Sequence, residues 1–118
     1  MNKVAELDEF TIHEVLSDLN GIALVFFSGP HCASCHHLKS LLNAEFKKFV
    51  DHFHHFAAFE IKADKAAALV NEFGVFHLPS MYLYNDGEFH CELHAEAITT
   101  KLIESIELAL TKPAEEEP

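Results

Sequence analysis

Six consecutive apolar residues, Ile22-Ala23-Leu24-Val25-Phe26-Phe27, are stopped abruptly by Ser28-Gly29-Pro30. A run of this length between turn residues predicts a strand buried on both faces, as in the interior of a parallel sheet. Such a strand needs covering elements on both sides, and the flanking sequence provides them. Upstream, Thr11 and Glu14 match a capping box, and Phe10 and Val15 are spaced as a hydrophobic staple. Ile12, Val15, Leu16 and Leu19 continue with helical periodicity, and Gly21 is placed to stop the helix. Downstream, the segment from Cys32 to about Phe49 reads as a helix with Cys35, Leu38, Leu42 and Phe46 near one face.

The same periodicities divide the rest of the chain. A short strand is expected around Val4 and another over Phe56–Ile61. A shorter helix runs from Asp64 to Phe73, with Gly74 at its end. After Pro79, Met81–Tyr84 and Glu88–Leu93 read as strands joined by the hairpin signal Asn85-Asp86-Gly87. Ile98, Leu102, Ile106 and Leu110 form the apolar stripe of a last helix. The first half therefore implies βαβ with parallel strands, and the second an antiparallel hairpin under a covering helix. At 118 residues this is one domain, expected over residues 1–111, with 112–118 as an acidic flexible tail. No internal repeat is visible.

Composition excludes several classes of function. Apolar residues make up 49 % of the chain and eleven are Phe, enough for an ordinary core. The formal net charge is −11, which argues against nucleic acid and against anionic membrane surfaces as partners. The start, Met1-Asn2-Lys3-Val4-Ala5-Glu6, has no apolar run of signal-peptide length, and no segment approaches a membrane span. A soluble, cytoplasmic protein is expected. Three cysteines are too few for a secreted disulfide framework.

Cys32-Ala33-Ser34-Cys35 lies where the buried strand hands over to a helix. At that place Cys32 meets free N–H groups and the positive end of the helix dipole, which favour its thiolate. Cys35, one turn inside, is close enough to close a disulfide. The implied chemistry has two steps: Cys32 attacks a disulfide, and Cys35 then attacks Cys32 and releases the reduced partner. His31, His36 and His37 are placed either to add positive charge or simply to be solvated. Ten histidines raise a zinc reading, but the second ligand pair of a zinc ribbon is missing. Cys32-x-x-Cys35-His36 also fits a haem-attachment pattern, which a compact α/β domain without export signal does not suit. Neither metal nor cofactor is expected. Cys91, on the returning hairpin strand, reads as a buried structural thiol, with a regulatory disulfide as the sharper alternative.

Taken together, these residues resemble the thioredoxin family over nearly the whole chain. The resemblance rests on Val25-Phe26-Phe27 leading into Cys32–Cys35, Phe73-Gly74-Val75 leading to Leu78-Pro79-Ser80, and the Met81–Tyr84 strand. The Asn85-Asp86-Gly87-Glu88 turn and the final helix complete it. It implies a thioredoxin-like fold, with a central mixed four- or five-stranded sheet flanked by helices on both faces. It also implies that Pro79 is cis and faces the dithiol, and that the backbone of Leu78 pairs with substrate beside His31. There are departures. His31 stands in place of the usual Trp, Ala33-Ser34 in place of Gly-Pro, and His94 or Ala95 where a groove-side Gly is common. The family's buried Asp corresponds to Phe26, which cannot transfer a proton, and its nearby Lys to Glu60. Glu60 is accordingly a candidate proton acceptor, the alternative being an edge or solvent-facing side chain.

The resemblance implies a thiol-disulfide oxidoreductase acting on protein disulfides, within cell redox homeostasis, and the expected cytoplasmic setting favours the reducing direction. An electron donor such as a thioredoxin reductase or glutathione would recharge it. The alternative is a thioredoxin-fold binding module or chaperone without disulfide turnover.

Overall fold

The computed structural model describes residues 3–118. In chain order its elements are β1 (Val4–Leu7), α1 (Ile12–Ser17), β2 (Ile22–Ser28), α2 (Ala33–Ala44), α3 (Phe46–Phe53) and β3 (Phe56–Lys62). A 3₁₀ turn (Ala63–Lys65), α4 (Ala67–Phe73), β4 (Ser80–Asn85), β5 (Glu88–Leu93) and α5 (Thr99–Leu110) follow. The strands form one five-stranded mixed sheet in the order β1-β3-β2-β4-β5. β1 and β2 run parallel to β3, whereas β4 is antiparallel to both β2 and β5.

The apolar run becomes the central strand because it alone has side chains to bury on both faces. Every residue of β2 is buried. Ile22, Leu24 and Phe26 point into one core with Leu38 and Leu42 of α2, Phe49 of α3, and Leu102 and Ile106 of α5. Ala23, Val25 and Phe27 point the other way, to Ile12 and Leu16 of α1 and Leu69 of α4. This alternation is the period of two that an extended strand imposes. The sheet is thus covered on both faces, in the expected thioredoxin-like arrangement.

Several local expectations are corrected. Thr11 does not cap α1 through its side chain. Asp8 instead orders the turn before the helix, its Oδ1 accepting from the Phe10 N–H (2.9 Å), the Thr11 N–H (3.0 Å) and the Thr11 hydroxyl (3.0 Å). Phe10 is 88 % exposed, so no staple with Val15 forms. The helix ends at Ser17, ahead of Gly21. The helix expected over Cys32–Phe49 is two helices, broken at Glu45 (φ −104°, ψ 13°). Tertiary contacts hold the break. Asn43 Oδ1 accepts from the Lys3 and Val4 N–H groups (2.7 and 2.9 Å), and Phe46, Phe49 and Phe53 gather on Phe56 with ring centroids 5.7, 4.9 and 6.2 Å away. The Asp64–Phe73 helix is likewise a 3₁₀ turn followed by α4.

The hairpin follows its signal. Asp86 (φ 51°) and Gly87 (φ 82°) both take positive φ, as a two-residue type I′ turn requires. Beyond α5 the acidic tail turns back along β5. The Glu115 N–H donates to His90 O (2.6 Å), and the Glu92 N–H donates to Glu115 Oε1 (3.3 Å).

Candidate active site

The carboxyl end of β2 leads through Gly29, Pro30 and His31 into α2, with Cys32 as N-cap (φ −106°, ψ 100°). Its sulfur accepts the Cys35 N–H at 3.2 Å, and the Ser34 hydroxyl lies 3.5 Å away. An N-cap side chain meets N–H groups that no helical carbonyl satisfies, so charge on Cys32 sulfur would be stabilised here. Cys32 and Cys35 are joined as a disulfide, with their Cα atoms 5.2 Å apart. Cys32 is partly exposed, whereas Cys35 is 2 % exposed. The pair is thus asymmetric, with one accessible sulfur and one protected by α2.

The loop before β4 meets this turn. A Cβ on Gly29 would stand 2.9 Å from Leu78 Cδ1, so the two loops approach closely here. The Leu78–Pro79 bond is cis, and the Ser80 hydroxyl anchors the loop by donating to His77 O (2.7 Å). His31 is exposed, and so is Phe76 of the loop, at 90 %. His36 and His37 turn to backbone carbonyls rather than to Cys32 sulfur: their Nε2 atoms lie 3.3 Å from Pro30 O and 3.0 Å from Ala97 O.

Beneath α2 the polar chemistry is unusual. Phe26 is fully buried and apolar. Its register partner on β3 is Glu60, which is 7 % exposed and therefore neither solvent-facing nor at the sheet edge. Glu60 Oε2 accepts from the Ser28 hydroxyl (2.6 Å), and Oε1 pairs with Lys39 Nζ (2.9 Å). Burial pushes the Glu60 pKa up. The Ser28 hydrogen bond and the Lys39 and Lys62 charges more than offset this and hold it below the usual carboxylate value. A cavity of about 270 Å³ opens beside the pair, between Pro30, His36, Lys62 and Lys65. Lys39 was not singled out in the sequence. Its signal was present, because it follows Cys35 by four residues and so shares its helical stripe.

The other singled-out residues lie apart from this site. Cys91 is buried in the core under α5, and burial raises its thiol pKa. It borders a separate cavity of about 190 Å³ between β5 and α5. His52 pairs with Glu107 (2.9 Å), and His94 lies 3.7 Å from Glu92. Among the described residues, no three His, Cys, Asp or Glu side chains gather as a metal site. No helix is long and apolar enough to cross a membrane.

The family model described as Thioredoxin matches residues 3–108. A search of curated proteins finds no match. Among solved structures, the chain is similar to the human ERp44 zinc-bound form (TM-score 0.77, 17 % identity), covering 90 % of this chain and 30 % of that one. Human ERp44 form I gives the same TM-score and identity, with 92 % and 29 % covered. A designed protein is similar at TM-score 0.71 and 14 % identity, over 93 % of this chain and 99 % of that one. The chain thus spans under a third of ERp44, and at these identities the likeness is one of fold.

Proposed function

The chain belongs to the thioredoxin family, and from that premise we propose that it is a thiol-disulfide oxidoreductase that reduces protein disulfides through Cys32 and Cys35. One observation carries the reading: Cys32 sulfur caps α2 and accepts the Cys35 N–H, with Cys35 in bonding reach behind it. In the reduced protein the Cys32 thiolate attacks a substrate disulfide and forms a mixed disulfide. Cys35 then attacks Cys32, closing the internal disulfide and releasing the reduced substrate. His31 and the backbone of Leu78, next to Pro79, line the groove in which an extended substrate segment would lie. Glu60, the buried carboxylate paired with Lys39 of α2, would serve as acceptor of the Cys35 proton. A thioredoxin reductase or glutathione would return the electrons, in a reducing, cytoplasmic setting.

Equilibration across dithiol/disulfide redox buffers, with alkylation and mass spectrometry, tests the reading. Reversible loss of two thiols confined to Cys32 and Cys35 is expected, with a midpoint near about −270 mV for a reductant. A midpoint near about −120 mV would reverse the direction, and absence of the disulfide would end the reading. For the acceptor role, Glu60→Gln is expected to slow Cys35 attack in stopped-flow reduction; an unchanged rate removes Glu60 from it.

The second reading, a binding module or chaperone without disulfide turnover, draws on Phe26, whose buried ring stands where β2 would otherwise hold a carboxylate. Retention of partner function by Cys32→Ser would favour it.

A further inference from the structure

Cys35 and Lys39 lie four residues apart on α2, so they are neighbours on one stripe, with Cβ atoms about 5–6 Å apart in a regular helix. Lys39 reaches down from that stripe to Glu60. Cys35 is 2 % exposed, and the strand packed against α2 presents the fully buried, apolar Phe26 there and no carboxylate, surroundings that oppose ionisation of its thiol. We propose that Lys39 is a switching counter-ion: paired with Glu60 at rest, it moves its pairing to the Cys35 sulfur as that thiol ionises, and so enables Cys35 to resolve the mixed disulfide. The inference rests on the oxidoreductase reading and assigns Lys39 as a positioning residue within it.

The electrostatics favour a shared cation over a carboxylate acting alone. While Lys39 holds Glu60, the carboxylate is a weak base, because the ammonium and the Ser28 hydroxyl both stabilise its charge. Departure of Lys39 withdraws its hydrogen bond and its charge, leaving the Ser28 hydrogen bond and the Lys62 charge against burial, so Glu60 becomes a stronger base. The same displacement places a positive charge beside the forming thiolate. One movement therefore strengthens the base and the acid together. Of the other charged groups nearby, Lys62 still acts on Glu60 through its charge, and the rest are held elsewhere or line the cavity. Lys62 pairs with Glu6 (3.3 Å), His36 faces Pro30 O, and His77 is held by Ser80. Asp64 and Lys65 line the cavity.

The step balances. Within the Cys32–substrate mixed disulfide, Cys35 gives its proton to Glu60, and its electron pair forms the bond to Cys32 sulfur. The bond from Cys32 to the substrate breaks, and the substrate leaves as a thiolate that takes a proton from solvent. Two electrons pass from the protein dithiol to the substrate disulfide. Glu60 loses its proton to solvent through the adjoining cavity, and Lys39 returns to it.

Stopped-flow reduction of a fluorophore–quencher peptide disulfide separates mixed-disulfide formation from release. Lys39→Met should slow release about tenfold at neutral pH and raise its pH midpoint by roughly one unit, with formation unchanged. Lys39→Arg, which keeps the charge, should keep the midpoint. The double variant Lys39→Met/Glu60→Gln removes both charges without orphaning a buried one, and should also release slowly. An unshifted pH midpoint in folded Lys39→Met, or in the double variant should Lys39→Met not fold, overturns the inference while leaving the oxidoreductase reading intact. If wild-type protein forms no Cys32 mixed disulfide by mass spectrometry, both fall.

Discussion

At the residue scale, two sulfurs three positions apart occupy very different surroundings. Cys32 is reachable and capped by N–H groups, whereas Cys35 is enclosed by helix and sheet. This asymmetry predicts the outcome of exchanging either one. Cys35→Ser should accumulate a covalent adduct with a disulfide substrate through Cys32, visible by mass spectrometry, whereas Cys32→Ser should form none. Glu60 gives a prediction about pH and stability. Its folded pKa lies below the unfolded value, so its ionised form stabilises the fold above the unfolded pKa, and that contribution is lost as pH falls through the folded pKa. Denaturant midpoints of wild type and Glu60→Gln should therefore differ at neutral pH and converge in acid. A gap that persists at low pH would assign the difference to packing instead of charge.

At the scale of elements, the α2–α3 break concentrates aromatic packing at one end of the sheet. Phe49 is fully buried and stacks on Phe56. Phe49→Ala should cost about 3–5 kcal/mol in chemical denaturation, because the surrounding rings cannot collapse fully into the space. The break also marks where the sequence stops being legible. Asn43-Ala44-Glu45-Phe46 contains neither Gly nor Pro, so nothing local ends a helix there. Contacts from Lys3, Val4 and Phe56, remote in sequence, decide it. The entry to α1 was hidden differently: Asp8 and Thr11 bond each other's N–H groups, so Thr11 is engaged in the turn before the helix and not in capping it. By contrast, β2, the Asp86-Gly87 hairpin and the dithiol at the start of α2 were legible, since each depends on adjacent residues. Glu60 was readable as a candidate but its environment was not. Its depth depends on strand register, and its partner comes from a helix twenty-one residues upstream.

At the scale of the whole molecule, negative charge and buried hydroxyls act together at high pH. Burial, followed by the charges of Glu117 and Glu72, holds the Tyr84 hydroxyl pKa far above its ordinary value, and burial also raises those of Tyr82 and Cys91. In the unfolded chain tyrosine releases its proton near about 10. Above that pH the unfolded state binds fewer protons than the folded one, so stability must fall as pH rises. Tyr84→Phe should shift alkaline unfolding, followed by circular dichroism, to higher pH; an unmoved transition would place the weak point elsewhere. The two edges of the sheet bear on a different property. β5 carries an unpaired outer row of N–H and C=O groups, and such a row is a template on which further chains can add. The returning tail occupies that row at His90 O and at the Glu92 N–H, and brings Glu116 and Glu117 with it. The acidic tail thus shields part of its own sheet edge, and its negative charge would oppose edge-to-edge stacking of copies. Removing residues 112–118 should leave the fold intact yet lower the concentration at which light scattering detects self-association.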